Sequence, residues 1–136
     1  MTYAQIYNHL LEQVRKEIPV YHKHLGDGLD GFYDAFGNII VMNSKWKNTR
    51  RGLRALAHEF THFKDHKAKL YPGFFGHDKR KFTEERMAEA IAAEQSAGKG
   101  AARICKKYGK HYNPEETNPK KLPELIKFWR KWYFHK

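Results

Sequence analysis

Apolar positions along the chain change period several times, and each change predicts an element. From Thr2 to Ile18, Ile6, Leu10, Leu11, Val14 and Ile18 recur at three- and four-residue spacing. That spacing describes one face of a helix, which Pro19 then stops or bends. Turn chemistry follows at Gly26-Asp27-Gly28. Two short strands are predicted around Gly31 to Asp34 and Asn38 to Met42, joined over Ala35-Phe36-Gly37. Helical spacing returns from about Thr49 to Lys69, with Leu53, Leu56, Ala57, Phe60 and Phe63 forming the stripe. Tyr71-Pro72-Gly73 ends this helix, and a loop containing Phe74, Phe75 and His77 runs on to Lys81.

Thr83 is a candidate N-cap for an alanine-rich helix reaching Ala97. Gly98-Lys99-Gly100 is read as a break, followed by a shorter helix from Ala101 to Tyr108. Asn113-Pro114 and Asn118-Pro119 frame a loop, and a last helix is expected from Leu122 to Trp132. In that helix Leu125, Phe128, Trp129 and Trp132 form an apolar face expected to pack on the domain; a membrane-surface or nucleic-acid contact is the alternative. The predicted order is α-β-β-α-α-α-α, an α+β fold. A chain of 136 residues suits one domain over 1–136, with its core in about 1–97 and a helical extension over 98–136.

Composition narrows the class. A single cysteine, Cys105, excludes an intrachain disulfide and a cysteine-based zinc ribbon; its place in an apolar stripe predicts a buried, inert thiol. No apolar stretch approaches a membrane span, and the first residues lack a signal-peptide pattern, so a cytoplasmic protein is expected. Lys and Arg number 26 against 15 acidic residues, a formal charge of +11. That excess favours attraction to polyanions, and non-specific nucleic-acid contact through a basic surface is one expectation.

The chemistry is concentrated in Leu56-Ala57-His58-Glu59-Phe60-Thr61-His62-Phe63. This contains H-E-x-x-H inside a predicted helix, where positions i and i+4 share a face and two imidazoles can converge on one ion. Glu59 would stand beside the open coordination position as general base for a water attacking a carbonyl. One Zn2+ per chain is therefore expected, held by His58, His62 and a third ligand from elsewhere. Glu85, in Glu85-Arg-Met-Ala88-Glu89, is the favoured third ligand, with Glu89 one turn on accepting a hydrogen bond from the far nitrogen of a ligand histidine. His77 is the alternative third ligand, and His66 the weakest candidate. Tyr33, Tyr71 and His77 are candidate transition-state donors. The strand Asn38 to Met42 is a candidate edge for aligning an extended substrate.

Gly31-Phe-Tyr-Asp, Gly37-Asn-Ile-Ile-Val-Met-Asn43, Arg50-Arg51, the H-E-x-x-H segment and Glu85-Arg-Met-Ala-Glu89 together resemble the ImmA/IrrE family of metallopeptidases over about residues 1–97. The resemblance implies a small zincin-like, gluzincin-type domain with His58, His62 and Glu85 as zinc ligands and Glu59 as base. It also implies limited proteolysis of a protein substrate, often a DNA-binding repressor encoded on the same phage or mobile element. Two residues depart from the family pattern: Thr61 stands where a small residue is common, and Glu89 where Asp or Asn is common. A second resemblance is to SprT-like proteases, which act on DNA-bound proteins; Gly76-His77-Asp78 looks like their third-ligand segment. The functions to separate are thus a protease, a basic nucleic-acid-binding protein, and a sensor domain with a non-catalytic metal site.

Overall fold

The computed structural model of the chain describes residues 1–75 and 83–134. Helix α1 (Tyr3–Arg15) starts from a capping box in which the Thr2 hydroxyl accepts from the Gln5 N–H and the Gln5 side chain accepts from the Thr2 N–H. Its buried face holds Ile6, Leu10, Leu11 and Val14, as its spacing predicts, together with Tyr7; Ile18 is buried beyond the helix end. The helix ends at Arg15, short of the Pro19 expected to stop it. Strand β1 (Val20–Lys23) begins directly after Pro19 and is not legible in the hydrophobic pattern.

β1 joins β2 (Gly31–Asp34) and β3 (Ile39–Asn43) in a three-stranded sheet of order β1-β3-β2. β3 runs parallel to β1 (Val20 opposite Ile40) and antiparallel to β2 (Tyr33 opposite Ile40). The segment Asn38 to Met42 is therefore not an edge, contrary to the expectation from its sequence. It forms the sheet's centre, with Ile40, Val41 and Met42 almost fully buried, and the edge beside α2 is β2. Two side chains pin the flanking loops. Buried Asn43 donates to the Gly26 and Leu29 carbonyls at 2.6 and 2.9 Å, and Asp34 accepts from the Phe36 and Gly37 N–H groups in the β2–β3 turn.

Helix α2 (Arg50–Lys67) is capped by Thr49, whose hydroxyl accepts from the Gly52 N–H. Helix α3 (Glu84–Lys107), capped by Thr83, runs through Gly98 and Gly100 without a break. The expected interruption is absent because both glycines serve close approach rather than a turn. A Cβ at Gly98 would meet Pro114 Cβ at 3.1 Å, and one at Gly100 would meet Thr61 Cβ at 2.9 Å and overlap the rest of that side chain. α3 thereby carries Ala101, Ile104 and Cys105 into the same core as α1, α2 and the sheet, including Ile6, Leu10, Val14, Ile40, Leu53 and Leu56. A single 3-10 turn (Glu115–Thr117) leads to helix α4 (Leu122–Phe134). In α4 only Trp129 is buried; Phe128 and Trp132 are exposed, so the expected packed face is narrower than its sequence suggests. Among the described residues the result is an α+β fold of four α-helices and one small sheet. Among the described residues no helix is long and apolar enough to cross a membrane.

Candidate metal centre

α2 presents His58 and His62 on one face, with ring centroids 4.8 Å apart and nearly perpendicular planes. α3 supplies Glu94 between them. Its Oε2 lies 3.2 Å from His58 Nε2 and its Oε1 2.9 Å from His62 Nε2. One ligand atom from each of the three residues falls within 4.8 Å of the others, close enough to bind a metal ion.

The crossing of α2 and α3 creates this convergence. Ala90, Ala93, Ala97, Gly100 and Ala101 are all buried on α3, and their small side chains let it lie directly on α2. Glu94 is the acidic residue that emerges from this stripe. Glu85, favoured from the sequence, lies nine residues earlier, roughly 13 Å along the helix axis, and is exposed in the first turn. The structure brings Glu94 to the histidines and leaves Glu85 away from them. Glu89 is placed against the turn after α2, where a Cβ on Gly73 would overlap its carboxylate, rather than on a histidine. His77 lies outside the described residues.

A legible signal for Glu94 existed. Glu94-Gln95-Ser96-Ala97 is one of three E-x-x-A segments in α3, with Glu85-Arg86-Met87-Ala88 and Glu89-Ala90-Ile91-Ala92, and of their closing alanines only Ala97 is buried.

Electrostatics bind the three groups. Burial disfavours a charge on His58, but its hydrogen bond to Glu94, with the charges of Glu94, Glu59 and Glu116, outweighs this and raises its pKa to about 10. Burial likewise disfavours the Glu94 carboxylate, yet the charge of His62 and hydrogen bonds from both histidines hold it well below the usual carboxylate range. Glu59 is shifted upward, chiefly by burial and against the pull of His58 and His62; the Tyr33 backbone N–H donates to it. Glu116, from the 3-10 turn, is also raised by burial and stands 3.7 Å from His58 Nδ1, beyond hydrogen-bond reach. Three carboxyl groups thus surround two imidazoles. His62 Nδ1 is buried without a hydrogen-bond partner among the described residues, so the acid expected behind a ligand histidine is missing there.

The donor set suits a divalent cation. Two imidazole nitrogens and one carboxylate are the three-ligand complement that leaves a zinc ion a free position, and the surplus of half-buried carboxyl groups suits a positive charge.

Two openings share His58, Glu59 and Glu94. The larger, about 910 Å3, runs between β2 and α4 and is lined by Phe32, Phe36, Phe74, Phe75, Trp129 and Tyr133 among others. The smaller, about 610 Å3, is lined by Arg50, Arg51, Arg54, Tyr112 and Glu116.

The remaining candidate residues have other duties. The Tyr33 hydroxyl pairs with His66 Nδ1 at 2.6 Å, and His66 also stacks on Phe75, so both side chains are occupied in packing beside the site. The Tyr71 carbonyl accepts from the Phe74 and Phe75 N–H groups in the turn after α2, and Tyr71 lines neither opening. Cys105 is buried, and burial pushes its thiol pKa up, as its apolar surroundings predict.

Tyr133 is a residue that sequence reasoning misses. Its hydroxyl hydrogen-bonds to Glu94, its ring meets Phe74 edge-on at 5.6 Å, and burial followed by the charges of Glu94 and Glu59 hold its pKa well above the normal tyrosine value. It lies in the aromatic tail, where charge and apolar spacing point to packing and carry no mark of a site.

A scan against protein-family models, a search of curated proteins and a search of solved structures each found no match to the chain.

Proposed function

We propose that this chain is a zinc-dependent metallopeptidase in which His58, His62 and Glu94 hold the ion and Glu59 is the general base. The observation that carries the reading is the placement of Glu94 against both Nε2 atoms of the H-E-x-x-H helix, with Glu59 half-buried beside them in an open groove. The ion would supply Lewis acidity, polarising a substrate carbonyl and acidifying water.

The chain's own residues account for the rest. Glu59, with its pKa raised by burial, is suited to accept a proton from water and return it to a leaving amine. The Tyr33 N–H fixes the direction of its carboxylate. β2, paired among the described strands only with β3, offers its outer edge along the groove, where an extended segment can add as a further strand. Openings on both sides of the site suit cleavage within a chain, that is, limited proteolysis of a protein substrate.

This reading places the chain with ImmA/IrrE-like peptidases of zincin-like architecture, Glu94 taking the ligand role that the sequence suggests for Glu85. A DNA-binding regulator is the substrate class which that resemblance suggests. The test is cleavage of a partly unfolded protein such as casein by the zinc-loaded chain. Activity abolished in Glu59→Gln with zinc content retained supports the reading; activity unchanged in that variant refutes it.

One observation favours an additional role in contacting nucleic acid. Exposed Lys64, Arg103 and Lys107 gather where α2 meets the C-terminal half of α3. Burial and the charges of Lys107 and Arg103 lower the Lys64 pKa, with Glu17 and Asp65 opposing. Such a cluster suits a phosphate backbone.

A further inference from the structure

We infer that Tyr133 is the hydrogen-bond donor that the site offers to a substrate's carbonyl oxygen, an inference that rests on the peptidase reading. Of the tyrosines lining the two openings, Tyr33 has its hydroxyl on His66 Nδ1. Tyr112 lies in the second opening, its ring under the Arg54 guanidinium at 4.4 Å. Tyr133 is the one that hydrogen-bonds to Glu94, the residue between the two histidines, and it lines the groove together with Glu59.

α4 holds it there by three contacts. Trp129, one turn earlier, is buried. Arg130 forms an ion pair with Glu84 at the start of α3. The Tyr133 ring rests edge-on against Phe74, which itself lies 5.6 Å from the His62 ring. A donor is useful at such a site because negative charge develops on the carbonyl oxygen as water adds, and an O–H held in a groove lined largely by aromatic rings stabilises it. The O–H that donates to Glu94 here has to turn from that carboxylate to the carbonyl oxygen, and the proton stays on the tyrosine throughout.

The experiment compares zinc-loaded wild type with Tyr133→Phe, which keeps the ring against Phe74 and removes only the hydroxyl. Zinc content and thermal unfolding show whether the site and fold persist. The probe is a peptide phosphonate, tetrahedral at phosphorus, titrated beside the carbonyl peptide of the same sequence. Tyr133→Phe is expected to hold as much zinc as wild type and bind the carbonyl peptide equally well. It is expected to bind the phosphonate roughly 100-fold more weakly, and to lose a similar factor in kcat on casein with KM little changed. Tyr71→Phe, outside both openings, is expected to match wild type in every measurement.

Equal phosphonate affinity in wild type and Tyr133→Phe, with zinc bound and casein cleaved by both, overturns this inference and leaves the peptidase reading standing. Loss of zinc from Tyr133→Phe overturns it in favour of a structural role on Glu94. A wild-type chain that binds no zinc overturns both.

Discussion

Thr61 fills the space that Gly100 leaves empty: a Cβ at position 100 would lie 2.9 Å from Thr61 Cβ and overlap the atoms beyond it. This pairing explains how the Thr61 side chain is accommodated between the two helices. A larger residue before the second histidine is accommodated because the facing helix carries glycine there, so α2 and α3 still close enough for Glu94 to meet His62. The Thr61 hydroxyl, buried between the helices, donates back to the Ala57 carbonyl at 2.9 Å.

Gly100→Ala is therefore expected to destabilise the fold by about 1–3 kcal/mol through overpacking, despite alanine's better helix propensity. It should also weaken zinc binding, because the separation forced at Gly100 lies on the same crossing as Glu94. In a Thr61→Gly background the same substitution should cost markedly less. Urea unfolding of the four proteins of this cycle measures the coupling.

The coupled charges of His58 and Glu94 predict a pH dependence for protein stripped of metal by a chelator. The His58 pKa is raised from 6.5 to about 10, so its contribution is complete below pH 6.5 and disappears as pH rises through about 10. The Glu94 pKa is lowered, so its contribution is complete above the ordinary carboxylate range and disappears as pH falls. Thermal stability should therefore peak near pH 5–6.5 and decline towards pH 10. His58→Gln should flatten that alkaline decline. Calorimetry across this range checks both slopes.

Zinc must displace a proton from His58, since that imidazole is protonated at neutral pH in the pair with Glu94. Zinc affinity is expected to rise between pH 6 and 9. Titrations in two buffers of different ionisation enthalpy should differ in apparent heat by about one proton per zinc bound. Identical heats in the two buffers would contradict the pairing.

For the basic surface, the expected outcome is salt-sensitive binding of a labelled DNA duplex that survives Glu59→Gln. Replacing Lys64, Arg103 and Lys107 by Gln should reduce the slope of log affinity against log salt by about 0.9 for each phosphate that is no longer neutralised.

Local chemistry is the legible part of this chain. The i, i+4 histidines, the stripe of Leu53, Leu56, Ala57, Phe60 and Phe63, the Thr83 cap and the helical face from Ile6 to Val14 all depend on near neighbours, and their spacing reports them. What escapes depends on residues distant in the chain. β1 is four residues long and exists because Val20 to Lys23 pair with β3 twenty residues on. Strand order makes Ile39 to Asn43 central, which alternation within one strand does not encode. Gly98 and Gly100 look like a break until Glu116, Pro114 and Thr61 are seen to occupy the missing side-chain volumes. The string Glu85-Arg-Met-Ala88-Glu89 draws the third residue of the metal group to the start of α3, although the crossing point lies in the alanine stripe around Glu94.

Metal content is the most direct measurement of the central claim, taken by mass spectrometry on purified wild type, Glu94→Ala and Glu85→Ala after zinc loading and desalting. The structure predicts about one zinc per chain in wild type and Glu85→Ala, and little in Glu94→Ala. Zinc retained by Glu94→Ala and lost from Glu85→Ala, or absent from wild type, would contradict the site built from His58, His62 and Glu94.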